Sequence, residues 1–241
     1  LLGICGAALL ITCVYKLPET NNHINISKSF SYLSIFMKVI CDKKVVLYAL
    51  IVGCCSGMTM GFYVEAPFIF INYLKLTPSE YGLLGFWIAG ANLLGGVINR
   101  YLVSKHTPSN TVIKYGIGLI ILGSTIMFVG SFFISSDVSR IYAITVVMLP
   151  TMIHAIGHTF AVPHILHFAL ENYRQFSGSA GAIFGSLYYA VVAIVNYAIS
   201  TIHGHGLVAF TTLFLGLSIT CIIAFMIIGL IESAKRVASE S

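Results

Sequence analysis

The stretch "MLPTMIHAIGHTFAVPHILH", residues 148–167, puts four histidines into an otherwise apolar run. His154 and His158 are four apart, so in a helix they share one face. Two such imidazoles are half of a metal site. No acid accompanies them, however, and Pro163 is expected to interrupt the helix before His164 and His167. Imidazole titrates near neutral pH, which also suits His154 to a proton relay or a substrate contact. The plainest reading leaves both as packed, hydrogen-bonded core histidines.

A second group surrounds the one carboxylate of "GFYVEAPFIF", residues 61–70. A charge at the bilayer centre costs about 2.5–3.5 kcal/mol on insertion scales, so Glu65 should face a cavity or a partner. Counted from Lys44 at about 1.5 Å per residue, it lies roughly 30 Å along its helix, towards the far mouth. Pro67 conflicts with the carbonyl of Tyr63 and favours a kink there. Glu65 and Tyr63 are therefore candidates to bind a cation or a proton, and Pro67 is a candidate gating position. The alternative is a wetted carboxylate that only orients the helix. Asn92, Asn196, Tyr188 and Tyr189 are polar groups inside apolar runs that should turn to neighbours or water. Of these, Asn92 is taken as a substrate contact.

These residues need membrane helices to position them. Of 241 residues, 58% are hydrophobic and 9% charged, with a mean hydropathy of +0.94. Soluble domains carry about a quarter charged residues, and about 20 apolar residues span a bilayer. Six complete spans are expected, at 45–71, 81–104, 111–133, 140–162, 176–200 and 207–231. They form one all-α bundle over 45–231, and residues 1–15 read as the end of a further span. The stretch 16–44 turns amphipathic, with Ile35, Phe36, Met37, Val39 and Ile40 among Lys and Ser, as an interfacial helix would. Residues 232–241 form a tail.

Placing 16–44 in the cytoplasm puts Lys16, Lys28, Lys38, Lys43, Lys44, Arg100, Lys105, Lys114, Arg174, Lys235 and Arg236 inside, and leaves only Lys75 and Arg140 outside. That asymmetry sets the orientation, with a cytoplasmic C-terminus. The six cysteines lack zinc-ligand spacing and read as small packing residues. Gly181 and Gly185, four apart in "GSAGAIFGS" after Gly178, have helix-packing spacing, as do Gly90, Gly95 and Gly96. No basic-aromatic patterning suggests nucleic acid, and no enzyme signature or phosphate loop is visible. No cofactor is expected, and a secondary carrier suits the chain better than an ATP-driven one.

Three ordered motifs then resemble the major facilitator superfamily, within it the Bcr/CflA type of drug–proton antiporter. "LPET" at 17–20 is similar to that family's motif after its sixth helix. "APFIFINYLKLTPSEYGLLGFWIAGANLLGG", residues 66–96, resembles its block from helix seven into helix eight. "GSAGAIFG" at 178–185 resembles the opening of helix eleven. "GGVINRYLVSK", residues 95–105, echoes the superfamily's inner loop, with Asn99 in place of its acid and Arg100 and Lys105 retained. Those two cations read equally as an inner-gate latch and as topology-setting charge.

The resemblance implies the C-terminal half of a twelve-helix, proton-coupled exporter of small amphipathic compounds in a bacterial inner membrane. Its partners would be substrate, protons, lipid and an N-terminal half. The rivals are a metabolite or siderophore carrier on the same fold, an integral-membrane metal enzyme built on His154 and His158, and an inactive product of a split gene.

Overall fold

A computed structural model describes residues 2–16, 32–134, 139–202, 204 and 206–240. The LPET motif and the polar opening of the 16–44 stretch lie outside the described residues. The elements are α1 (Leu2–Lys16), α2 (Tyr32–Cys41), α3 (Lys43–Pro67), α4 (Pro78–Ser104), α5 (Ser109–Ser131), α6 (Arg140–Leu170), α7 (Ser177–Thr201) and α8 (Leu207–Glu240). Among the described residues there is no strand. A π-helical turn, Phe68–Tyr73, extends α3, and a 3-10 turn, Glu171–Phe176, joins α6 to α7.

Among the described residues, five helical stretches are long and apolar enough to cross a membrane. One of them, Arg140–Thr201, has 62 residues. At about 1.5 Å per residue that is about three times a hydrocarbon core of ~30 Å. It is two helices, divided at Tyr173, whose φ of −116° and ψ of 21° are not helical. Packing partners give the directions. Gly53, Gly57 and Gly61 of α3 meet Val191, Val195 and Ile199 of α7 in the same chain order. Ser56 and Thr59 meet His158 and His154 of α6 in reversed order. The chain therefore turns back on itself between α6 and α7.

The same test places α4 parallel to α6, through Glu80–Arg140 and Asn99–His164. It places α8 antiparallel to α3, through Lys44–Glu232 and Cys55–Cys221. The long helices α3 to α8 thus alternate in direction, as membrane crossings must when joined by short turns. The protein is an all-α, multi-pass integral membrane protein.

Local chemistry sets the helix starts. Asp42 caps α3, its Oδ1 accepting from the Lys44 amide at 3.0 Å. Thr77 and Glu80 form a reciprocal capping box on α4 with Pro78 in its first turn, satisfying amides that would otherwise be bare. Arg140 then donates to Glu80 at 3.2 Å and to the Lys75 carbonyl at 2.9 Å, tying the start of α6 to that cap.

The core lies around α3, which packs on α6, α7 and α8. By contrast α4 buries only Ile88, Ala91 and Gly95, and leaves Leu83, Phe86, Trp87 and Leu93 exposed. In α2 the pair Ile35 and Val39, one turn apart, is buried against the bundle, while Phe36 and Met37 are exposed. The described side chains of α1 are all exposed.

Helix packing by glycine falls elsewhere than the spacing of Gly178, Gly181 and Gly185 suggests. Nothing lies within 4 Å of a methyl placed at Gly178, and only Leu170 and Tyr188 side-chain atoms at 3.9 and 4.0 Å come near the other two. Close approaches occur at Gly95, where an added methyl would stand 3.1 Å from the Ile156 Cα, and at Gly116 and Gly157, where it would stand 2.7 and 2.6 Å from the other glycine's carbonyl oxygen. They also occur where α3 meets α7. Backbones can come this close only where no Cβ intervenes.

One proline behaves otherwise than the sequence suggests. Helix α6 runs through Pro163 to Leu170 rather than ending there. A proline leaves the carbonyl four residues before it without its helical donor. That carbonyl, on Thr159, accepts instead from the Asn99 side-chain amide at 3.0 Å. At Pro67 the helix widens into the π turn, with the Leu74 amide bonded to the Ile69 carbonyl at 2.9 Å. Helix α8 continues beyond 231, so the tail is its last turns.

Candidate functional site

Within the bundle, α3, α4, α5, α6 and α8 enclose a recess of about 30 Å³, room for a water molecule or little more. Its polar lining comes from Thr59, Tyr63, Asn92, Ser124, Thr151, His154 and His158, and its apolar lining includes Met58, Met127 and Phe214. Helical spacing explains the set. Thr59 and Tyr63 are one turn apart on α3, and Thr151, His154 and His158 follow the same face of α6.

His154 is 6% exposed. Its Nε2 lies 3.4 Å from Thr59 Oγ1, and that hydroxyl donates to the Cys55 carbonyl at 3.1 Å. With its hydrogen committed there, Thr59 accepts from His154, which assigns the Nε2–H tautomer to the neutral ring. Nδ1 is then a bare acceptor, and among the described residues it has no partner. Ser124 Oγ, on the same recess, is likewise buried without a partner. Buried polar atoms are nearly always bonded, which sets these two atoms of one recess apart from the rest of the buried polar groups. His158 Nε2 lies 3.4 Å from Ser56 Oγ, one turn along the same helix pair.

The structure thus brings together Tyr63, Asn92, His154 and His158. Asn92 donates to the Ile88 carbonyl at 3.1 Å and Asn196 to the Val192 carbonyl at 2.8 Å, so both amide groups bond within their own helices. Glu65 stands apart. Two residues on from Tyr63, it is turned about 200° around the helix. It lines a different pocket, of about 430 Å³, with Phe68, Asn72, Tyr73, Ile199 and Phe210. That pocket lies at the end of the bundle opposite the Lys44–Glu232 pair.

Arg100 and Lys105 are exposed at the end of α4, and neither forms an ion pair among the described residues. Lys105 Nζ lies 5.6 Å from the centre of the Tyr101 ring. The neighbour that binds across helices is Asn99, whose Oδ1 is also 3.0 Å from His164 Nε2. Among the described residues no group of three His, Cys, Asp or Glu side chains is placed to hold a metal ion. His154 and His158 alone would leave such an ion short of protein ligands.

Sequence reasoning passed over Ser56, Thr59, Ser124 and Thr151. Small hydroxyls are common in membrane helices because they can bond back to their own backbone, as Thr151 does to Val147 at 2.7 Å. The usable signal was spacing. Ser56 and Thr59 are three apart on α3, opposite two histidines four apart on α6.

No protein-family model matches the chain. It is 36% identical over 235 residues to an uncharacterized transporter of Rickettsia bellii, covering 97% of this chain and 58% of that protein. It is 37% identical over 113 residues to an uncharacterized protein of Rickettsia conorii, covering 46% of this chain and 93% of that one. At 22% identity over 207 residues, 83% of this chain and 48% of the other, it is similar to the chloramphenicol resistance protein CraA of Acinetobacter baumannii. The chain spans a little over half the length of the named transporter it matches.

Proposed function

The chain belongs to the same family as these Rickettsia proteins, and from that premise we propose that it is part of a secondary transporter of the major facilitator type. Its proposed activity is proton-coupled export of drugs or small amphipathic compounds. The observation that carries this reading is the recess around His154. A histidine bonded through one nitrogen, with the other unpartnered and the Ser124 hydroxyl on the same recess, suits the uptake and release of a proton inside the membrane.

The remaining length of the longer relatives is proposed to supply a facing half, so that two bundles rock about a site between them. The thinly buried α4 and the open face at Gly178, Gly181 and Gly185 suit such a partner. Glu65, in its own pocket, is proposed to select cations near the outer mouth, with Pro67 and the π turn beside it as the flexible element. Arg100 and Lys105 are proposed as inner-gate or headgroup contacts. In this reading the end of the bundle bearing Lys44 and Glu232 faces the cytoplasm of a bacterial cell.

Chloramphenicol is the first compound to try, given the similarity to a protein named for resistance to it. The full-length protein is reconstituted in vesicles, a pH gradient is imposed, and uptake of labelled compound is followed. Gradient-driven uptake that His154→Gln abolishes is expected. Uptake indifferent to the gradient would remove proton coupling from the reading.

A further inference from the structure

A third pocket, of about 430 Å³, opens where α3 begins, beside the first turn of α5, the end of α6 and the last turns of α8. Its polar lining is Lys44, Tyr48, Asn110, Glu171, Asn172 and Glu232. Lys44 and Glu232 are already joined, Nζ to Oε1 at 2.6 Å. Glu171 forms no ion pair among the described residues. The pocket therefore holds one carboxylate whose charge is not matched.

Tyr48 supplies a second, independent observation. It is 3% exposed, sits one turn above Lys44 on α3, and lines this pocket. Its hydroxyl bonds to no described residue, and both Glu171 and Glu232 lie within electrostatic reach of it. A tyrosine ring sunk into the bundle usually finds a partner for its oxygen. Two carboxylates share the pocket with it; its own O–H can donate to one of them, which leaves its lone pairs and the remaining carboxylate oxygens as acceptors without a donor.

We propose that this pocket binds a primary ammonium group, held by Glu171, the Tyr48 oxygen and the side-chain amide oxygens of Asn110 and Asn172. An ammonium has three N–H donors and no acceptor, which suits a lining of acceptors. A quaternary amine has no N–H to give and would want an aromatic cage. An anion would meet the unmatched carboxylate. The site stands at an end of the bundle, among the termini of its helices, so the ammonium comes either from an ethanolamine lipid headgroup or from a free amine in solution. This inference does not rest on the transport reading, since the pocket is distinct from both the His154 recess and the Glu65 pocket.

The test is binding. The purified protein in mild detergent is titrated in separate arms with phosphatidylethanolamine, phosphatidylcholine and ethanolamine, and bound mass is read by native mass spectrometry. Retention of phosphatidylethanolamine about tenfold above phosphatidylcholine, lost on Glu171→Gln and weakened by Tyr48→Phe, is expected for the lipid source. Binding of ethanolamine with the same dependence on Glu171 assigns the free amine. Equal retention of the two lipids without ethanolamine binding overturns the proposal, as does preference unchanged by Glu171→Gln. Glu171 is exposed, so its amide variant should fold, and Tyr48→Phe keeps the buried ring.

Discussion

Replacing His154 with Gln preserves a side chain that can reach Thr59 but removes the ring that exchanges protons. Gradient-driven transport should fall at least about tenfold, the equivalent of ~1.4 kcal/mol, while binding in the absence of a gradient is largely kept. Ratios of uptake with and without the gradient measure this. Glu65→Gln separates the two sites. It should weaken transport of cationic compounds by about tenfold or more and spare neutral ones, because only the cation loses a charge-assisted contact. Equal loss for both classes would make Glu65 a structural residue. At Asn99 the expected effect is on stability. Asn99→Ala leaves the Thr159 carbonyl without a donor beside Pro163, at a cost of about 1–3 kcal/mol, read as a lowered thermal midpoint.

At the scale of helices, the pair Gly116 and Gly157 sets how closely α5 and α6 approach. Gly157→Val should destabilise by about 1–3 kcal/mol or more through overpacking. Gly178→Ala, which meets nothing within 4 Å, should leave the midpoint unchanged or raise it through helix propensity, by up to about 1 kcal/mol. Thermal unfolding of both variants in one detergent distinguishes them. The contrast also marks what the sequence could convey. Apolar runs of about 20 residues or more read clearly as helices, since length and composition alone fix a membrane crossing. Glu65 and His154 were visible because ionisable groups are rare in such runs. Which face each helix turns to its neighbours was not visible. Gly178, Gly181 and Gly185 have the same spacing as glycines that pack, and only their surroundings tell them apart. Pro163 looked like a helix end because its remedy, Asn99, comes from another helix.

For the whole molecule, alternating helices put Ser79 and Ser233 at opposite ends of the bundle. In a background without the six native cysteines, Ser79→Cys should react with a membrane-impermeant thiol reagent applied to intact cells, and Ser233→Cys should not. The reverse pattern would invert the proposed orientation. Residues 1–241 alone are expected to move no substrate in vesicles, if the central site needs a facing half. Counterflow by that chain would instead point to self-association of the bundle.

The bond from Asn99 to the Thr159 carbonyl makes two distant positions one unit of inheritance. Restoring an amide N–H with Pro163→Ala would let the helix satisfy its own carbonyl, so the loss caused by Asn99→Ala should shrink well below its value beside proline. What remains would be the share owed to His164. A lineage that gives up the proline is released from keeping the amide, and one that keeps the proline is not. Substitutions at 99 and 163 should therefore travel together wherever this fold has diverged.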